Sequence, residues 1–191
     1  MAIPEWDING ILPPISPGES GHSMNRSPYR TALIDVVENF SSSPERKRIL
    51  TGLLDYRAAL HEVGLNNGFQ WLDGSFMEAV EVIEIRSPRD VDVVTFFYLP
   101  EQVDQNNLIQ EHPHLFEPEK AKQRFLVDAY LLRLGTPSQK SFVKRVSYWY
   151  SLWSHTRAGV WKGFVEVDLS PGEDRACRDF LTALKNIGDE E

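Results

Sequence analysis

Phe69-Gln70-Trp71-Leu72-Asp73-Gly74-Ser75-Phe76, followed by Pro88-Arg89-Asp90-Val91-Asp92, carries the strongest pattern in this chain. The first segment reads as a short strand running into a Gly-Ser turn. The second opens a strand on two carboxylates at positions i and i+2. Strand alternation puts Asp90 and Asp92 on one face, with Cα atoms roughly 6.6 Å apart. Carboxylates so spaced can share or bracket metal ions, which in two-metal sites lie about 3.5–4 Å apart. Gly74 allows close backbone approach. The backbone N–H groups of Gly74 and Ser75, at a helix start, suit a phosphate, and the Ser75 hydroxyl adds a contact.

The sequence predicts further strands on both sides. Val91 to Leu99 is the clearest strand, stopped by Pro100. Phe125 to Leu134 is apolar except for Asp128 and Arg133. A lone carboxylate in an apolar strand is costly unless it is paired or bound to a metal. If this strand lies beside 91–99, Asp128 joins Asp90 and Asp92, and three carboxylates around a hard cation suit magnesium. Glu166 and Asp168 compete for the third place but read as the wet face of a one-sided strand over 161–169. Asp128 is preferred because its strand is the next after the Asp-x-Asp strand. Lys162 and Arg157 reach a phosphate or a base, or else lie in a solvated turn.

Residues 1–27 are rich in Pro, Gly and Ser and predict an extended N-terminal arm. Its apolar Ile3, Trp6, Ile11 and Leu12 are expected to pack along the body. A helix is expected from Pro28 to Phe40, with Ser27 as N-cap and Pro28 in the first turn. A second runs from Ser43-Pro44 to about Val63, with Ile49, Leu53, Leu54 and Leu60 inward and Gly64 as its stop. Residues 80–86 fit helix or strand, and 101–123 fit a loop and helix. A helix follows from Gly135-Thr136-Pro137-Ser138 to about His155, and a last helix from Asp174 to Ile187. Residues 28–187 form the expected domain, and 188–191 a frayed tail. The fold class expected is α/β, a small mixed sheet flanked by helices.

The 191 residues are 41% hydrophobic with a formal net charge of -8. An acidic chain gains little from counterion release, so an extended nucleic-acid face is not expected. The single cysteine, Cys177, fits a reducing compartment and has no neighbouring His to make it a nucleophile. With no signal-like start and no apolar run of about 20 residues, the expectation is a cytoplasmic protein without a membrane partner. His112 and His114 in a plain loop, Lys140, Lys144 and Arg145 on a wet helix face, and packing by Tyr148, Trp149, Tyr150 and Trp153 are the simpler readings of those residues.

Gly-Ser, then Asp-x-Asp, then an Asp in a later strand resembles the nucleotidyltransferase superfamily that includes DNA polymerase β and the minimal nucleotidyltransferases. Over nearly its full length the chain is similar to a bacterial family of nucleotidyltransferase-like proteins. The similar segments are Gly10-Ile11-Leu12-Pro13-Pro14, Asp73-Gly74-Ser75-Phe76, Pro88-Arg89-Asp90-Val91-Asp92, Arg157-Ala158-Gly159 and Lys162-Gly163. The resemblance implies a sheet of nucleotidyltransferase type and magnesium held by Asp90, Asp92 and Asp128. It implies a nucleoside triphosphate held through Gly74, Ser75 and Lys162. The reaction implied moves a nucleoside monophosphate to a hydroxyl of a protein, an RNA end or a small molecule. Minimal nucleotidyltransferases often act with a toxin partner or in defence loci. The chain departs from the superfamily in one respect: Ser75 and Asp90 stand 15 positions apart, longer than usual. An added turn or edge strand around Val80–Ile85 is the expected consequence.

Overall fold

The computed structural model describes residues 2–188, and the side chains of 185–188 are not described. Among these residues five strands form one mixed sheet: β1 (Tyr29–Arg30), β2 (Gly68–Asp73), β3 (Val91–Phe97), β4 (Val127–Arg133) and β5 (Val165–Asp168). Their order is β1-β5-β2-β3-β4. β5 runs parallel to β1 and antiparallel to β2, β2 is antiparallel to β3, and β3 is parallel to β4. The mixed α/β class is as expected.

Among the described residues eight helices flank the sheet: α1 (Leu33–Phe40), α2 (Pro44–Glu62), α3 (Val80–Ile83), α4 (Gln105–Glu111), α5 (Pro113–Phe116), α6 (Pro118–Phe125), α7 (Gln139–Trp153) and α8 (Asp174–Gly188). One sheet face presents Leu72, Val91, Val93, Val127, Ala129, Val165 and Val167 to a core shared with α1, α2, α6 and α8. The other presents Trp71, Val94, Phe96 and Leu132, and α7 covers it with Trp153 and the partly buried Phe142, Val146, Trp149 and Tyr150. Tyr148 points outward, 59% exposed. Arg57, fully buried on α2, ties the first layer together. It donates to Asp174, to Gln70 and to the carbonyls of Asp168 and Ser170.

Several boundaries differ from the sequence expectation. The first helix begins at Leu33, not Pro28. Ser27 Oγ accepts the Phe164 N–H at 2.9 Å, and Tyr29 and Thr31 donate to the Phe164 and Glu166 carbonyls. The segment is therefore an edge strand, and Ser27 caps no helix. Ser43 does cap α2, accepting the Arg46 N–H, and Gly64 follows its end with φ +82°. Phe125 closes α6, and Leu126 in the left-handed region turns the chain into β4. Asp128 is thus the second residue of its strand and not near its middle. β3 ends at Phe97 and β4 at Arg133. β5 spans only 165–168, because Trp161 instead bridges His155 after α7 has ended at Trp153.

The 15-position segment holds a three-residue 3-10 turn, Ser75–Met77, and the short α3, not an edge strand. Buried Arg46 anchors it, donating to Glu81 at 2.6 Å and to the carbonyls of Phe76 and Glu78. Residues 101–123 form three short helices. In the N-terminal segment Ile11 and Leu12 are buried, Trp6 packs edge-on against Phe40, and the Gly10 carbonyl accepts the Ala79 N–H. Of the expected frayed tail, Gly188 ends α8 and 189–191 lie outside the described residues.

Candidate functional site

Asp73, Asp92 and Asp128 form one rung across three adjacent strands. Asp73 is the Cα partner of Asp92 in the β2–β3 pair, and Asp92 is the partner of Asp128 in the β3–β4 pair. Directly opposed residues point to the same face. The rung therefore lies on the α7 face, at the end where β2 finishes and β3 and β4 begin. Asp90, one residue before β3, lines the same cavity of about 580 Å³. The walls include Ile11, Gly74 and Ser75, together with Trp153 at the end of α7 and His155 and Arg157 just beyond it.

Gly74 joins the two motifs physically. Its φ of +81° and ψ of -169° belong to a region open essentially to glycine alone. A Cβ at this position would fall 1.8 Å from Asp92 Oδ2. The Asp92 carboxylate thus occupies the space that the missing side chain leaves. The long Ser75–Asp90 segment does not pull the motifs apart, because strand pairing aligns them directly. The turn after Gly74 has three residues. It offers backbone N–H groups without the macrodipole of a long helix.

Burial and neighbouring charge raise the proton affinity of the two acids on β2 and β3. Asp92 is pushed up to about 7, first by burial and then by the charges of Asp73, Asp128 and Asp90. Burial pushes Asp73 up to about 6, against the opposing pull of Lys162. Tyr130, two residues along β4 from Asp128, is held up at about 12 by burial and by the Asp128 carboxylate.

Two lysines answer this charge. Lys162, only 3% exposed, donates to Asp73 at 2.8 Å and Glu78 at 2.7 Å. Burial alone would depress its pKa, but Asp73 and Glu78 outweigh burial and hold it above the ordinary value. It is therefore not in a solvated turn, and its ammonium braces the residues on either side of Gly74-Ser75. Lys122 on α6 pairs with Asp90 at 2.6 Å. Sequence reading missed the Asp73–Lys162 and Asp90–Lys122 pairs, 89 and 32 positions apart, because no local pattern links them.

The cavity therefore unites Asp90, Asp92, Asp128, Gly74, Ser75 and Lys162, and adds Asp73, Glu78 and Lys122. Among the described residues, no three His, Cys, Asp or Glu side chains are already drawn together tightly enough to grip a metal ion. The competing Glu166 accepts from Trp71 Nε1, and Asp168 is exposed and accepts the Ser170 N–H. His112 and His114 flank the start of α5, near Arg124 and Val103, with ring centroids 5.9 Å apart. Cys177 is buried, and burial pushes its thiol up to about 12. No described helix is long and apolar enough to cross a membrane.

No curated protein and no solved structure matches the chain. Residues 4–168 match the model of DUF6932, a family of unknown function, and the chain belongs to that family.

Proposed function

We propose that this cavity is the active site of a magnesium-dependent nucleotidyltransferase, on a sheet of nucleotidyltransferase type walled by the N-terminal arm. The observation that carries the reading is the Asp73–Asp92–Asp128 rung with Gly74 packed on the Asp92 carboxylate. The donor set fits the ion: Asp90, Asp92 and Asp128 offer carboxylate oxygens, which magnesium prefers. Bound there, magnesium would neutralise charge on a triphosphate and acidify an acceptor hydroxyl.

The remaining work falls to the chain's own groups. Asp90 and Asp92 would hold the ion. Asp128 would be its third ligand or would take the proton from the acceptor hydroxyl. The N–H groups and hydroxyl at Gly74-Ser75 bind the phosphates, and Lys162 fixes that turn through Asp73 and Glu78. The product is a nucleoside monophosphate joined to a hydroxyl on a protein, an RNA end or a small molecule, with pyrophosphate released. A toxin or defence partner is the setting that the superfamily resemblance favours.

A second reading rests on the two ion pairs. Lys162 and Lys122 already neutralise Asp73 and Asp90, which would suit an inactive fold that binds a nucleotide or a protein. One experiment separates the readings. Thermal unfolding is followed with magnesium and ATP, GTP, CTP or UTP, alongside pyrophosphate release, for the wild type and Asp90→Ala/Asp92→Ala. Protection and release that both vanish in the variant support the enzyme. Protection without release supports the binding module, and no protection by any nucleotide refutes both nucleotide readings.

A further inference from the structure

The two lysines at the site differ in one respect. Lys162 is enclosed and held by two carboxylates, Asp73 and Glu78. Among the described residues Lys122 pairs with one carboxylate, Asp90, and its side chain is 44% exposed. It projects from α6, the helix that leads into β4, and it lines the cavity together with Asp90, Asp92 and Asp128. A half-exposed ammonium on a flexible four-carbon stem can leave its partner at little cost, whereas an enclosed one cannot.

We propose that Lys122 is an exchangeable counter-cation. It neutralises Asp90 while no metal is bound, yields that carboxylate to an incoming divalent ion, and then turns to the phosphates of the substrate. The inference rests on the metal-dependent reading above and adds a residue and an order of events to it. A fixed positive charge beside the carboxylates opposes the metal, and the same charge freed attracts a polyphosphate. Metal and polyphosphate therefore help each other bind, by equal factors in both directions. No bond is made or broken in the exchange. Lys122 is a positioning residue for the ion and a direct contact for the anion.

The test compares wild type with Lys122→Met and Lys122→Arg by calorimetry, first with Mn2+ alone and then with preformed Mn2+ complexes of ATP, GTP, CTP and UTP. Methionine keeps the helix and the stem but removes the charge. Removing a unit charge about 4 Å from a half-exposed site tightens Mn2+ binding by about tenfold in Lys122→Met. The same variant should bind the preferred nucleotide complex at least fivefold more weakly, and Lys122→Arg should behave like wild type in both titrations. Mn2+ binding that is unchanged or weaker in Lys122→Met, with wild type binding normally, overturns the exchange and leaves the metal site standing. Absence of Mn2+ binding in all three proteins overturns the metal site and the exchange together.

Discussion

Asp92→Asn should make the protein more stable above neutral pH, although Asp92 lies at the centre of the candidate site. Asp92 is pushed from its usual 3.8 to about 7, first by burial and then by Asp73, Asp128 and Asp90. Between those limits the folded state binds more protons than the unfolded state, so this group destabilises the fold progressively as pH rises from about 4 to about 7. At about 1.36 kcal/mol per pH unit the ceiling is about 4 kcal/mol. Water in an open cavity and relaxation of the carboxylates reduce that to about 1–2 kcal/mol. For a chain of this length each kcal/mol moves the midpoint by about 2–4 °C. Thermal unfolding in EDTA at pH 8 should therefore place Asp92→Asn about 2–8 °C above wild type, with the gap closing by pH 4. Saturating magnesium should reverse the order at pH 8. A variant less stable than wild type in EDTA, or a gap independent of pH, would refute the argument that these acids repel one another across the rung.

Gly74→Ala should lose about 2–4 kcal/mol from its backbone conformation and from the clash with Asp92 Oδ2. Denaturant titration should find part of that loss restored in Gly74→Ala/Asp92→Gly, because the two sites are in contact. Lys162→Met leaves Asp73 and Glu78 facing each other without their shared cation, at a cost of about 3–5 kcal/mol near pH 8. Circular-dichroism melts should show a smaller deficit at pH 5, where Asp73, whose folded-state value is about 6, is protonated. Arg57→Met should cost a similar 3–5 kcal/mol by stranding Asp174 and Gln70. Its melts should show the loss at every pH from 5 to 8 while nucleotide protection persists in whatever protein remains folded.

Much of this arrangement was legible because apolar alternation and turn chemistry are local. Leu72 and Val93 alternate with Asp73 and Asp92 as strand periodicity requires, and Ser43-Pro44 starts α2 as its side chain predicts. The edge strand at Tyr29–Arg30 was not legible. Two residues carry no periodic signal, and its partner Val165 is far away in sequence. Pro28 looked like a helix start because nothing local reveals that Ser27 will be claimed by Phe164. Asp128 was found through the oddity of a carboxylate in an apolar run. Its place on the rung depends on strand order, which the sequence does not encode locally. The Lys162–Asp73 pair was hidden for the same reason.

The rung also bears on how the sheet avoids mispairing. Side chains in a strand alternate between faces, so sliding β3 by one residue against its neighbours would turn Asp92 from the cavity toward the layer formed by Val93, Val127 and Val165. An ionised carboxylate there would be without water or a partner, which is prohibitively costly. Sliding β4 would do the same to Asp128. Asp92, which burdens the folded sheet at high pH, therefore acts together with Asp128 as a proofreading mark for its assembly. A sheet without Asp92 would melt later above neutral pH but would tolerate more than one alignment of β3.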